Sequence, residues 1–279
     1  VIKSQPQTNA MRKIRARPMT STNLVIQATL ITLSLLTLYT FFTFDTRNID
    51  PWKATLDMFE NFRVLLLEPR LRNLTFMGLI QALFVTVGLG LLTTIFGAVI
   101  AFFLALLAAQ NLAPRWVTNV VKGGTAFIRA VPTVLWVLFF AVSIGLGSVA
   151  AIIGMTFHSV GYLIKAYSES FEEIEPGVLE ALRASGANWW QTVFQAVIPA
   201  SASALLSWTF VRFEINFSTA IAMGATAGAG GIGFDMFMAS GFYLDLRELG
   251  AFTYAILAFA ILLEWGATRM KSGLGSKRH

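Results

Sequence analysis

The chain has 279 residues, 56% of them hydrophobic and only 13% charged, with a formal net charge of +6 and no cysteine. Water-soluble domains carry roughly a quarter charged residues, so this composition excludes an ordinary soluble fold. Without cysteine, disulfides, thiolate metal sites and cysteine nucleophiles are excluded, and two histidines, His158 and His279, do not make a histidine metal centre.

Residues 1–23 are polar, with Arg12, Lys13, Arg15 and Arg17 clustered ahead of a first apolar run, 24–44. That run ends Phe41-Phe42-Thr43-Phe44 and offers no small-residue cleavage site, so a retained helix is expected rather than a cleaved signal. Residues 45–77 hold five basic and five acidic residues with Pro51 and Pro69, and read as an extramembrane segment with short surface helices. The second span, 78–109, is longer than a hydrocarbon core about 30 Å thick requires, and must tilt or protrude. Its Gly88, Gly90, Gly97 and Ala98 would let neighbouring helices approach closely. A short polar connection, 111–127, leads to a third span, 130–147, opened by Pro132 and anchored by a snorkelling Arg129. The tight Gly145-Leu146-Gly147-Ser148 turn precedes a fourth span, 149–167. A polar segment, 168–198, then precedes a fifth span, 199–223, and a glycine-rich link, 224–248, precedes a sixth, 249–268.

The expected fold class is therefore all-α: a polytopic membrane protein with six transmembrane helices. Its expected parts are an N-terminal helix with an outer segment (1–77), a five-helix core (78–268) and a basic tail (269–279). Six spans put both termini on one side. With the N-terminus inside, the cytoplasmic segments hold 14 Lys and Arg against 6 outside, although 45–77 carries as many as the N-terminus. The positive-inside rule then makes both termini and segment 168–198 cytoplasmic.

That segment has local order of its own. Pro176 fits the first turn of a short helix, Gly186 can close it in the left-handed conformation, and Asn188 can cap a second helix with Gln191 in the capping-box position. Pro199 marks the entry to the next span. Helix, glycine, helix and proline make a rigid knob suited to docking in a groove on another protein; the plainer reading is a helical hairpin without a special role. The acidic run Glu172, Glu173 and Glu175 reads as a solvated face before it, and Lys165 with Glu169 as an interfacial i,i+4 pair.

Other polar signals lie within spans. Arg212 and Glu214 sit near the middle of the fifth, where a charge costs on the order of 3 kcal/mol. Two residues apart on a helix they point about 200° apart, so they cannot pair on one face. Asn216 shares a face with Arg212, as does Trp208. Arg212 suits an oxyanion because its planar fork bonds two oxygens at once; Glu214 is expected to be structural. His158 is either a satisfied interhelical histidine or a pathway residue. Gly228-Ala229-Gly230-Gly231-Ile232-Gly233 fits a loose G-x-G-x-x-G, but no strand precedes it, so a glycine connector, a gate or a protein contact is expected rather than a nucleotide site. No G-x-x-x-x-G-K-[ST] occurs in the chain, so an ATP site would lie on another polypeptide.

The stretch Glu180-Ala181-Leu182, three residues, Gly186, then Pro199 resembles the EAA loop of binding-protein-dependent ABC transporter permeases. Leu182, Ala196 and Ile198 stand where that pattern has alanine, isoleucine and leucine, and they would keep the docking surface apolar. His158-Ser159-Val160-Gly161, Glu175-Pro176-Gly177, Arg183 to Asn188, Arg212-Phe213-Glu214 and Gly228 to Gly233 together look like the phosphonate-transport permeases. The detailed likeness covers 158–233, is weaker through 78–157 and the last span, and is absent from 1–77.

The resemblance implies a type I importer permease in a bacterial cytoplasmic membrane, carrying phosphonate or a related phosphorus oxyanion. It implies two cytoplasmic ATPase subunits that hold ATP and Mg, a second permease subunit (identical or paralogous) and an extracytoplasmic solute-binding protein. It implies no cofactor and no catalytic residue on this chain; no nucleic-acid partner is expected either, because the basic residues gather beside the spans rather than on one soluble face. Glu180, Ala181, Leu182, Gly186 and Pro199 would couple to the ATPase. Arg212, Asn216 and His158 would line the substrate path, and Gly228, Gly230, Gly231 and Gly233 an outer gate or binding-protein contact. Alternatives are a permease for another small solute, an ion-coupled secondary transporter, or a membrane-embedded enzyme, for which no acid, metal or nucleophile constellation is present.

Overall fold

Apolar runs of this length have to satisfy every backbone N–H and C=O internally, which leaves helices as the economical solution. The structure, a computed structural model, describes residues 21–43 and 50–275, and all regular elements among them are helical. The basic cluster at Arg12 to Arg17, together with Lys277 and Arg278, lies outside the described residues.

The chain divides into two compact units, Val1–Asp57 and Met58–His279. In the first, α1 (Ser21–Thr43) is apolar on all sides and has no buried residue, as a lipid-facing helix would. Helix α2 (Pro51–Leu67) starts there, and its last ten residues belong to the second unit. The second unit goes on with α3 (Phe76–Ala108), α4 (Arg115–Ala130), α5 (Thr133–Ile144), α6 (Ser148–Glu172) and α7 (Pro176–Ala184). A single-turn α8 (Trp189–Thr192) runs through a π-turn (Val193–Val197) into α9 (Ile198–Ala227), followed by α10 (Gly231–Gly241) and α11 (Leu246–Gly275).

Among the described residues, five helical segments are long and apolar enough to cross a membrane, and a sixth if α4 and α5 together count as one. That pair corrects the expected third span. The stretch 111–127 is not a simple polar connection, because α4 occupies most of it, and α4 meets α5 at 87°. Pro132 is the cause. It disfavours helical geometry at the residue before it, and Val131 is extended at φ −88°, ψ 125°. Helix α5 is left with 12 residues, about 18 Å of rise, too short to span alone.

One further expectation changes. The glycine-rich link 224–248 is largely helical, since α9 continues to Ala227 and α10 follows it. Pro199 stands in the first turn of α9, as expected of the entry to a span, although the helical run Trp189–Ala227 is continuous through it. A proline removes one N–H from the ladder, and the wider π-turn just before it, closed by the Ile198 N–H on the Val193 carbonyl, takes up the misfit.

Three buried clusters hold the second unit together. One joins the ends of α3 and α6 to residues 179–197, through Leu106, Leu163, Phe171, Leu179, Val193 and Val197. A second, around Met155, Ala220 and Met223, packs α3, α5, α6 and α9. The third, around Leu79, Ile232 and Phe252, packs α3, α10 and α11. The first lies at the end carrying the knob and the third at the opposite end.

Candidate functional site

The knob folds as its residues dictate. Pro176 opens α7, and Gly186 follows it at φ 83°. Asn188 caps α8, with the Gln191 N–H donating to Asn188 Oδ1 at 2.9 Å and the Asn188 N–H to Gln191 Oε1 at 2.7 Å. Its back is pinned to the rest of the chain. Arg183 donates to the Asn111 carbonyl at 2.7 Å, and Trp189 Nε1 to the Leu112 carbonyl at 2.9 Å. Asn111 Nδ2 reaches the Phe171 carbonyl at 2.7 Å.

Glu172 corrects one expectation. It is not part of a solvated acidic face, because its carboxylate accepts from the Gln110 N–H at 2.9 Å and pairs with Lys122 at 2.9 Å. Leu182, Ala196 and Ile198 correct another. They face the chain's own core rather than presenting an apolar docking surface. The exposed front of the knob is instead Glu180, Ala181, Ala184, Gly186 and Trp190. Apolar side chains in a two-sided hairpin serve first to seat it. Pro199, also exposed, lies beyond the π-turn.

The second constellation lies in the middle of the bundle. Arg212 is 3% exposed and Asn216 0%. Arg212 Nε donates to Ser159 Oγ at 3.1 Å, and Ser159 Oγ lies 3.0 Å from Asn216 Oδ1. Asn216 Nδ2 donates to Thr94 Oγ1 at 2.9 Å, and Thr94 returns its proton to the Gly90 carbonyl at 2.7 Å. The guanidinium lies over the Tyr162 ring, 5.1 Å from its centroid. No carboxylate pairs with it among the described residues.

Glycines allow the approach that makes this network. A Cβ at Gly90 would stand 3.1 Å from Phe217 Cα on α9, and one at Gly97 2.9 Å from Ser159 Cβ on α6. Gly88, by contrast, has nothing within 4 Å of such a Cβ.

The structure brings Arg212 and Asn216 together, and it leaves His158 out of their hydrogen bonds. His158 Nδ1 is buried with no hydrogen-bond partner among the described residues. It remains within electrostatic reach of both Arg212 and Arg129. Glu214 points elsewhere, as its two-residue offset requires. It lines a cavity of about 420 Å³ between α9 and α11 together with Glu264. Helix α9 is unbroken at both residues.

Of the four glycines, Gly231 and Gly233 are closely packed, while Gly228 is exposed and has nothing within 4 Å of a Cβ. Gly228 ends α9 at φ 61°, and Gly230 and Gly231 also have positive φ. At Gly233 a Cβ would overlap the Ile221 carbonyl. The Ile232 N–H donates to Thr86 Oγ1 at 3.0 Å, and Ser148 Oγ to the Ala229 carbonyl at 2.7 Å, which ties the 145–148 turn to this segment.

Sequence reasoning passed over Glu248. It is 1% exposed, and its carboxylate accepts from the N–H groups of Arg72, Asn73 and Leu74 and from Asn73 Nδ2, at 2.6–3.2 Å. Beside this clasp, Arg247 pairs with Glu68 at 2.7 Å. The only available signal was an acid at the start of an apolar run.

Against known proteins, the family described as "Binding-protein-dependent transport system inner membrane component" matches residues 97–264. The phosphate-import permease protein PhnE of Mycolicibacterium smegmatis is 34% identical over 156 residues, 54% of this chain and 29% of that protein. The phosphite transport system permease protein PtxC of Stutzerimonas stutzeri is 31% identical over 186 residues, 66% of this chain and 67% of PtxC. The putative cryptic phosphonate transport system permease protein PhnE2 of Escherichia coli is 36% identical over 115 residues, 41% of this chain and 92% of PhnE2. The chain thus spans less than a third of the first of these relatives. In fold it is similar to a chain of the inward-facing MetNI methionine ABC transporter, with TM-score 0.66 and 20% identity over 73% of this chain and 99% of the other. A chain of a bacterial alginate ABC importer follows at TM-score 0.61 and 14% identity, with coverage of 90% and 97%.

Proposed function

Because the chain belongs to the binding-protein-dependent transport system inner membrane components, we propose that it is the permease subunit of an ATP-driven importer for a small phosphorus oxyanion. Phosphonate, phosphite and phosphate are the candidates, in keeping with the names of its relatives. The observation that carries the substrate class is Arg212: a guanidinium buried mid-bundle, engaged by one hydroxyl and one ring, with no carboxylate paired to it among the described residues. A charge so placed is costly unless something compensates it, and a passing oxyanion does so with two parallel hydrogen bonds. Asn216, Ser159 and Thr94 hold the side chain by bonding one another, and His158 adds a polar edge nearby.

The rest of the machine follows from the knob. Its pinned back and exposed front suit a groove on a cytoplasmic ATPase, two copies of which would bind ATP and Mg. A second permease subunit, identical or paralogous, would complete the path, and an extracytoplasmic solute-binding protein would deliver the solute. ATP binding favours one arrangement of the ATPases, and the knob passes that preference to the bundle as rigid-body rocking. On this reading the knob and both termini lie in the cytoplasm.

The test is to purify the chain with its co-assembling subunits, identify them, and measure ATP hydrolysis and uptake with phosphate, phosphite and methylphosphonate in proteoliposomes. Stimulation by one of these and not by methionine or sulfate is expected. Stimulation by none of the three removes the substrate reading, and uptake without ATP hydrolysis removes the importer reading.

A further inference from the structure

The proposed path has a single cation at its centre, and a second basic site lies between it and the knob end. A cavity of about 170 Å³ is lined by Arg129 of α4, by Tyr162, Lys165, Ala166 and Glu169 of α6, and by Trp208 of α9. A neighbouring cavity of about 230 Å³ shares Arg129, Lys165 and Glu169 and adds Lys122 and Glu172.

Charge accounting singles out one group. Lys122 is neutralised by Glu172 at 2.9 Å. Lys165 meets Glu169 only loosely, at 3.7 Å, with both side chains more than half exposed. Arg129 makes no hydrogen bond and no ion pair among the described residues. Its place is nonetheless set by packing. A Cβ at Gly161 would stand 2.9 Å from Ile128 Cγ2 and 3.2 Å from Arg129 Cγ, so the glycine lets α4 seat on α6 with Arg129 beside it.

The two settings share a wall. Tyr162 takes the Arg212 guanidinium on its ring and also lines the Arg129 cavity. Trp208 stands edge to face with Tyr162, centroids 6.4 Å apart. An anion leaving Arg212 towards the knob end therefore meets an aromatic pair and, past it, a guanidinium with unused donors.

We propose that the Arg129–Lys165 cavity is a second oxyanion station, on the knob side of Arg212, with the Tyr162–Trp208 pair between the two. The proposal rests on the reading of Arg212 as a path residue for a phosphorus oxyanion. A path must bind its ion well enough to admit it and weakly enough at each site to release it, and two modest stations meet that need where one deep one does not. Arg129 supplies the planar fork, and Lys165 swings from Glu169 as a point charge. The same chemistry recognises a phospholipid headgroup, since basic pockets between helices on the cytoplasmic side also hold anionic lipid.

The experiment uses the full chain with its co-purifying subunits in nanodiscs of phosphatidylcholine, and follows phenylglyoxal modification of Arg129 by mass spectrometry. Added inorganic phosphate is expected to slow that modification about tenfold, the equivalent of one charge-assisted contact, and Lys165→Gln to weaken the protection. Protection that instead appears on replacing part of the lipid by phosphatidylglycerol, without added phosphate, keeps the station and assigns it to a headgroup. Modification at the same rate under all three conditions overturns the proposal.

Uptake measured in parallel separates the two readings. Phosphorus oxyanion uptake with an unprotected Arg129 sinks the station alone; protection without uptake sinks the transport reading and keeps an anion site. Arg129→Gln is expected to lower maximal uptake about tenfold, with Arg129→Lys partly restoring it. Full uptake in Arg129→Gln means the station is not on the path.

Discussion

The knob and the Arg212 network solve opposite problems with similar residues. In the knob, side-chain donors reach back to the chain itself: Arg183, Trp189 and Asn111 each bond a backbone carbonyl, which ties the knob's back down while its front stays exposed. In the network, the neutral members bond one another while the one charged member keeps most of its donors unused. A surface that transmits force gains from having its back tied down. A residue that handles a passing ion has to keep bonding capacity in reserve. The two arginines make the contrast sharpest: each makes one hydrogen bond, but Arg183 is exposed, whereas Arg212 is buried with no carboxylate paired to it among the described residues.

The contrast is open to direct attack. Its largest expected effect is at Arg212→Gln, which keeps the polar shape and removes the charge; uptake of the phosphorus oxyanion should fall about a hundredfold while the complex still assembles. Collapse of assembly with no separable transport defect would make Arg212 a structural residue like Arg183. Next comes Gly186→Val. At φ 83° a side chain costs roughly 1–2 kcal/mol of backbone strain, yet nothing stands within 4 Å of its Cβ, so the bundle should fold and only the knob's tip distort. ATP hydrolysis uncoupled from uptake is the expected readout, and normal coupling would mean that the tip does not dock.

A smaller effect is expected at Glu248→Gln, which weakens a clasp remote from both regions. Its loss should lower stability by about 2 kcal/mol, seen as a lower midpoint of thermal unfolding, with uptake per folded complex unchanged. A transport defect without a stability defect would instead bring the 248 end into the mechanism. The smallest is Trp189→Phe, which removes one bond to the Leu112 carbonyl and should cost about 1 kcal/mol. If coupling falls as far as in Gly186→Val, the back of the knob matters as much as its tip.

Legibility in the sequence followed the range of the interactions. The Asn188 capping box, the left-handed Gly186, Pro176 in the first turn and the Lys165–Glu169 contact all depend on neighbours within a few positions, and each is present. The opposite orientations of Arg212 and Glu214 followed from helical geometry alone. What could not be read depended on partners far along the chain. Glu248 is bonded to residues about 175 positions away, and Glu172 to Gln110 and Lys122. A carboxylate in a sequence carries no mark of what it will meet, so Glu172 read as solvated and Glu248 as unremarked.

By itself, then, the sequence determined an all-α membrane chain, its long spans and the local form of the knob, because hydrophobic length, capping and proline act through adjacent residues. The tertiary structure decided the rest. It bent α4 against α5, turned Leu182, Ala196 and Ile198 inward, packed Gly231 and Gly233 against α3 and α9, and set Arg212 on the ring of a tyrosine that also lines the Arg129 cavity. Each of these depends on which helices lie side by side, and that is a property of the packed bundle rather than of any segment in it.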